Sequence, residues 1–309
     1  MRIHAAALNP VELHIWNGHF FDGPPRPPYV IGLEGIGVVE DGERLEPGTR
    51  VRVEFVHPGY GRDGAVAEYA VAPEEPDAEN RASQASVTPI AGDLDDTAAA
   101  ALGVPVFTAM MCLERAREAG ASLANAHVLV VGATGAVGAV AVQLAKLMGA
   151  ARVIAAGRDE ARLERARELG ADATVRLVEG SGVDELRERF LEGAAGRLDV
   201  ALDPLWGEPA RAAIEALGRD GVYVSFGQAA SPTAELSGIP LRNRRVTLVG
   251  HSGAWATPQD RQAALQRAHA LARGAGGLIL DSEEVPLEQV HDAWRRLGCS
   301  GRPRLVIKP

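Results

Sequence analysis

At 309 residues, 46% of them hydrophobic and 24% charged, the chain has material for two moderate domains with their own cores. A formal net charge of −9 argues against a nucleic-acid partner, which needs a dense basic face, and no apolar run approaches the roughly 20 residues of a membrane span. The first ten residues lack the apolar stretch of a secretory signal. The two cysteines, Cys112 and Cys299, make neither a disulfide framework nor a thiolate zinc cluster, so the cytoplasm is the expected compartment.

Residues 1–72 carry short Val- and Ile-containing runs between Gly and Pro, such as Gly37-Val-Val39 and Arg50-Val-Arg-Val-Glu-Phe-Val56, which predicts a β-rich unit. Segment 73–97 reads as a loop, and the pattern turns helical from Leu94, with Asp95 or Asp96 as N-cap. The middle then alternates. Strands are predicted at Ala126–Val131, Arg152–Ala156, Ala173–Val178, Val200–Leu202, Val222–Ser225 and Val246–Val249. Helices are predicted at Val137–Met148, Glu160–Leu169, Val183–Leu191 and Glu208–Leu217. Such alternation predicts an α/β fold with a parallel, doubly wound sheet, whose ligands sit at the strand C-termini. After Val249 the expected elements are a helix at Pro258–Arg273, a strand at Leu278–Leu280, a helix at Leu287–Leu297 and a strand at Arg304–Ile307.

The apolar strand His127-Val-Leu-Val-Val131 runs straight into Gly132, Ala133, Thr134, Gly135, Ala136, Val137 and Gly138, then into a helix. The three glycines serve a tight turn, a close approach of backbone to diphosphate, and close helix–strand packing. The helix N-terminus then favours the anion. A dinucleotide site is therefore expected. The strand that follows ends in Gly157 and Arg158 rather than in the carboxylate that would bond ribose hydroxyls. Arginine can clasp a 2′-phosphate with paired, charge-assisted bonds, so NADPH is expected ahead of NADH. Asp159 reads as a helix N-cap, with ribose bonding as the alternative that keeps NADH open, and Arg162 is a second phosphate candidate.

Taken with Ala6-Ala-Leu-Asn-Pro-Val-Glu12, Ile31-Gly-Leu-Glu-Gly-Ile-Gly37, Gly64-Ala-Val-Ala-Glu-Tyr69, Leu202-Asp-Pro-Leu-Trp-Gly207 and Gly301-Arg-Pro-Arg-Leu-Val-Ile307, these motifs resemble the medium-chain dehydrogenase/reductases, and among them the zinc-independent quinone oxidoreductase and enone reductase branch. The resemblance spans the chain. It implies a GroES-like substrate domain from residues 1–111 and 251–309 around a Rossmann domain at 112–250, with the nicotinamide between them and a homodimer as the assembly. Relatives carry further strands before the Ala6 motif, so either the start is misassigned or the substrate domain lacks its first strands and exposes a sheet edge. Against the family's zinc-dependent members, Asn9 stands at the cysteine ligand position and Leu33 at the histidine, with Glu34 kept. The stretch from Ala72 to Ala98 has no cysteine, so zinc is not expected.

Without a Lewis acid, hydride addition to a quinone or an α,β-unsaturated carbonyl is the expected chemistry. An alcohol dehydrogenase and a non-catalytic NADPH-binding sensor or subunit are the alternatives. By resemblance, Asn9 is a candidate polar group near the nicotinamide, with a turn-forming role before Pro10 as the other reading. His14 stands where relatives carry tyrosine and is a candidate proton donor or a surface imidazole. Phe20 replaces the tyrosine of the enoyl-thioester reductases, and Tyr60 is either a site residue or a plain loop aromatic. Phe226, Gly227, His251 and Ser252 follow strands and are candidate contacts for the nicotinamide half, or simple turns; Asp203 is similarly placed.

Overall fold

In the computed structural model the residues described are 1–19, 23–55, 58–74, 85–90, 94–298 and 302–309. Phe20, Cys299, Gly301 and most of the segment read as a loop at 73–97 lie outside them. Two compact units form, one from Met1–Val104 with Leu280–Pro309, the other from Pro105–Ile279.

The second unit grows from the continuous apolar run of β5 (His127–Val131), four of whose five side chains are fully buried, as a strand covered on both faces requires. Around it lie β6 (Arg152–Gly157), β7 (Ala173–Arg176), β8 (Val200–Asp203), β9 (Val222–Ser225) and β10 (Thr247–Gly250). All pair in parallel, in the order β10-β9-β8-β5-β6-β7. This is the doubly wound Rossmann arrangement, and its strand order reverses between β5 and β8. The crossover helices are α4 (Ala136–Leu147), α5 (Glu160–Glu168), α6 (Val183–Gly193) and α7 (Gly207–Ala216). Their apolar faces close the core on Leu129, Ile154, Phe190, Leu198, Ile214 and Tyr223.

In the first unit the sheet order is β11-β12-β1-β2-β3-β4, with β1 (Arg2–Ala7), β2 (Glu34–Val38), β3 (Arg50–Phe55), β4 (Ala85–Pro89), β11 (Ser282–Pro286) and β12 (Arg304–Lys308). The two ends of the chain thus make one GroES-like sheet, antiparallel except where β11 meets β12. The expected exposed edge does not arise at β1, which is paired on one side with β12 and on the other with β2. The helix α2 (Asp96–Ala101), capped by Asp95 through Ala98 N–H, lays three buried alanines on the face made by Ala5, Ala7, Ile36 and Val306. Asp96 instead accepts from Arg50 and faces His4 Nδ1 at 2.9 Å.

Four further sequence readings need correction. Residues 85–89 form edge strand β4 on β3 rather than a loop, because pairing supplies what the polar Ala-Ser-Val-Thr-Pro sequence does not advertise. Leu278–Leu280 is not a strand: the Gln143 side chain binds both Ile279 N–H (2.9 Å) and Ile279 C=O (2.8 Å), replacing a sheet ladder. The strand comes instead at Ser282–Pro286. The helix α1 (Val11–Trp16) interrupts the β-rich start. Finally, residues 105–111 and 251–279 belong with the Rossmann unit. The helix α3 (Val104–Glu118) and α9 (Pro258–Ala272) are tied together there, since Arg267 pairs with Glu114 and Arg261 lies 5.7 Å from the centre of the Phe107 ring. The helices α8 (Gly238–Asn243) and α10 (Val290–Leu297) complete the set.

Candidate functional site

The loop after β5 is shaped by its glycines. Gly132 has φ +67°, and Gly138 is packed so closely that a Cβ would lie 2.4 Å from the Gly132 carbonyl oxygen and 2.6 Å from Ala133 Cα. Ala133 is buried and its N–H bonds Ala156 C=O (2.9 Å), which pins the loop to β6. Gly135 is the exposed N-cap of α4, and among the described residues no side chain caps that helix, so its first-turn N–H groups have no intrahelical partner. Thr134, Ala136 and Val137 are half-buried around it. Such a loop and helix end can hold a diphosphate.

At the end of β6, Gly157 packs against the Thr134 side chain, and Arg158 beside it is exposed. Arg158 makes no hydrogen bond or ion pair among the described residues. Asp159 caps α5 by accepting from Arg162 N–H (2.9 Å), as its position before the helix led us to expect. The Arg162 guanidinium donates to Thr134 C=O (3.3 Å), and Arg176, aligned with Gly157 on β7, adds a third cation paired at 3.7 Å with the exposed Glu160. Arg176 escaped the sequence reading because parallel pairing, not spacing, brings it there.

The other predicted contacts line the same edge of the sheet. Phe226 N–H bonds Asp203 C=O (3.0 Å), Gly227 follows it, and His251 N–H bonds Ser225 C=O (2.8 Å), with Ser252 next in line. All four are half-buried. Burial, with Arg115 nearby, lowers the His251 pKa to about 4 against the weaker opposing pull of Glu118, so the ring is neutral at pH 7. Its Nε2 is buried without a partner among the described residues.

In the first unit, Asn9 is buried in a polar cluster. Its Nδ2 donates to Ala7 C=O (3.2 Å) and Glu34 Oε1 (3.3 Å), and its Oδ1 accepts from Arg304 (2.8 Å). Glu34 is fully buried, paired with Arg304 at 2.5 Å and Arg52 at 3.4 Å, and it accepts from Val104 N–H (2.8 Å). Glu12 accepts from Asn9 N–H and Gly32 N–H, both at 3.0 Å. It borders a small pocket with Ile15, Tyr29, Ile31 and Pro58. The three expected site residues here do not converge. His14 is exposed on α1, and the Tyr60 hydroxyl donates to Gly23 C=O. Arg304, Arg52 and Glu12 went unassigned from sequence, since Arg304 lies 270 positions from Glu34.

Burial raises the Glu12 pKa from 4.5 to about 7, against the N–H bonds from Asn9, Leu33 and Gly32 that favour the anion. The folded chain therefore keeps a proton that the unfolded chain releases near 4.5. Its stabilising contribution is complete below that value and is lost as pH rises through about 7. Relative to a Glu12→Gln variant, the wild type is expected to lose up to about 3 kcal/mol between roughly pH 5 and pH 8. Denaturant unfolding of both across that range is the check, and a stability difference independent of pH would contradict it.

Two family profiles match the chain, Alcohol dehydrogenase GroES-like domain over residues 1–78 and Zinc-binding dehydrogenase over 136–270. The chain belongs to the medium-chain dehydrogenase/reductase superfamily. It is 26% identical to a quinone oxidoreductase of Mus musculus across 99% of this chain and 88% of that one. A quinone oxidoreductase of Lama guanicoe is 35% identical over 151 residues, which are 47% of this chain and 40% of its own length. Among solved structures, the quinone oxidoreductase of Thermus thermophilus, determined alone and with NADPH, aligns at TM-score 0.74 and 26% identity, covering 100% of this chain and 90% of that one. These place the chain in the quinone oxidoreductase-like branch. Among the described residues no helix is long and apolar enough to cross a membrane.

Proposed function

We propose that this chain reduces a quinone or an α,β-unsaturated carbonyl with NADPH and without zinc. The observation that carries the reading is the saturated donor set around Asn9. Asn9 Oδ1 faces Arg304, both Glu34 oxygens face Arg304, Arg52 or a backbone N–H, and both Glu12 oxygens accept backbone N–H groups. A divalent metal needs three or four lone pairs aimed at one point; here the oxygens are engaged by guanidinium and amide hydrogens, and the apolar Leu33 stands beside them. The residues present do not fit zinc.

They do fit a dinucleotide. Gly132, Gly135, Gly138 and the first turn of α4 would hold the diphosphate, and Arg158, with Arg162 and Arg176, the 2′-phosphate. Phe226, Gly227, His251 and Ser252 would face the nicotinamide half. Bound there, NADPH supplies the hydride. A quinone or conjugated carbonyl is electron-poor enough to accept it when the protein contributes orientation and hydrogen bonds alone. Asn9, His14 and Tyr60 stay as candidates for contact with the acceptor. A homodimer and a cytoplasmic location go with this reading.

The experiment is to follow NADPH and NADH oxidation with one quinone and one simple enone, with and without a chelator. Chelator-insensitive turnover preferring NADPH supports the proposal. Tight NADPH binding with no turnover on either acceptor replaces it with the sensor reading. In the same assay, Arg158→Ala is expected to raise the KM for NADPH by about 10- to 100-fold, the worth of charge-assisted bonds to a phosphate, and to leave that for NADH nearly unchanged. An equal rise for both cofactors would remove Arg158 from the 2′-phosphate site.

A further inference from the structure

Trp206, half-buried between β8 and α7, has φ +60° and ψ −165°, a backbone conformation that belongs to glycine. The group that holds it there is Asp203 at the end of β8. This carboxylate is fully buried and accepts from Leu205 N–H (2.6 Å), Trp206 N–H (3.3 Å) and the Tyr223 hydroxyl (2.5 Å). Burial works against its charge, and those three donors work for it. Tyr223 is itself fully buried, and its ring centre lies 6.0 Å from that of Trp206.

The turn so held touches both neighbouring strands' loops. On the β5 side, the Pro204 ring packs against Gly132, where a Cβ would meet Pro204 Cγ at 2.8 Å. On the β9 side, Pro204 C=O accepts from Ala229 N–H (3.0 Å) and leaves no room for a Cβ on Gly227, while Leu205 C=O accepts from Ala230 N–H (2.8 Å). Because β8 lies between β5 and β9, this one turn stands between the glycine loop and residues 226–230. β6, which Arg158 directly follows, lies on the far side of β5.

We propose that Asp203, backed by Tyr223, is a positioning residue for the dinucleotide: it fixes the Pro204–Trp206 turn that sets the spacing between the glycine loop and the 226–230 segment. The inference rests on the NADPH reading above. Its consequence is asymmetric. Loss of the carboxylate or its support weakens the grip on the diphosphate and nicotinamide half and spares the adenosine half, which Arg158 serves from just past the end of β6.

The test measures NADPH and 2′,5′-ADP affinity for wild type, Asp203→Asn and Tyr223→Phe by calorimetry, with thermal melts alongside. Tyr223→Phe keeps the core volume and removes one hydrogen bond to a charged group, so the NADPH Kd should rise about tenfold, and more in Asp203→Asn. The 2′,5′-ADP Kd should stay within about twofold of wild type in both. If both variants bind NADPH as wild type does while melting lower, Asp203 only stabilises the fold and the proposal fails. If both ligands weaken together, the asymmetry fails. If wild type binds 2′,5′-ADP and NADPH equally poorly, the NADPH reading itself falls and takes this inference with it.

Discussion

Glu34→Ala is expected to destabilise the GroES-like unit by about 3–5 kcal/mol, a fall in melting temperature on the order of 10 °C. Glu34 is fully buried, and it is the anion for two guanidiniums, Arg304 and Arg52, whose side chains are only 3% and 8% exposed. Removing it leaves positive charge in a site where burial already lowers the Arg304 pKa and Glu34 is the largest opposing influence. An unpaired buried charge costs more than the pair was worth. Two further bonds go with it, from Asn9 Nδ2 and Val104 N–H. Thermal or denaturant unfolding measures the loss. The double variant Glu34→Ala/Arg304→Met, which removes one stranded charge, should recover part of it and prove less destabilised than the sum of the singles. A loss below about 1 kcal/mol in Glu34→Ala would mean that the cluster is solvated and its ion pairs weak.

Gly138→Ala and Gly135→Ala should separate folding of the phosphate loop from its use. A methyl at Gly138 would sit 2.4 Å from Gly132 O and 2.6 Å from Ala133 Cα, both backbone atoms. The loop must move, at about 1–3 kcal/mol of stability, and NADPH affinity is expected to fall roughly 100-fold as its N–H groups lose their aim. Gly135 has φ −92° and ψ 168°, which alanine adopts freely, and its methyl would meet only Gly132 O, at 3.4 Å. Gly135→Ala is therefore expected to melt at or slightly above the wild-type temperature. Its methyl projects from the exposed side of the loop, so NADPH affinity should still fall, by about tenfold or more. Calorimetric titration with parallel melts decides. If Gly135→Ala binds NADPH at full strength, the loop is a structural turn and not a diphosphate cradle.

These expectations differ in how they could be reached from the chain alone. The loop of Gly135 and Gly138 is legible in the sequence almost whole, because an apolar strand, a glycine loop and a helix are consecutive and each has its own local periodicity. The Asp159 cap and the exposed Arg158 at the end of β6 belong to the same local class. The Glu34 cluster is half legible there. Its motif stood out, with Asn9 and Leu33 at the metal-ligand positions, but its partner Arg304 arrives from the other end of the chain.

Hydrophobic period and turn chemistry encode, within about a dozen residues, the alternating strands and helices, the glycine-rich loop after β5 and the N-caps. The tertiary structure decided the rest. Sheet pairing made a strand of Ala85–Pro89, whose own composition is weak for one. A side chain 136 positions away met the backbone of Ile279 and kept it out of a ladder. Burial, which no local pattern reports, brought Glu12 toward neutral pH and enclosed Asp203 with Tyr223. In each case the deciding energy is a long-range pairing or a desolvation, and both depend on which distant residues arrive at the same place.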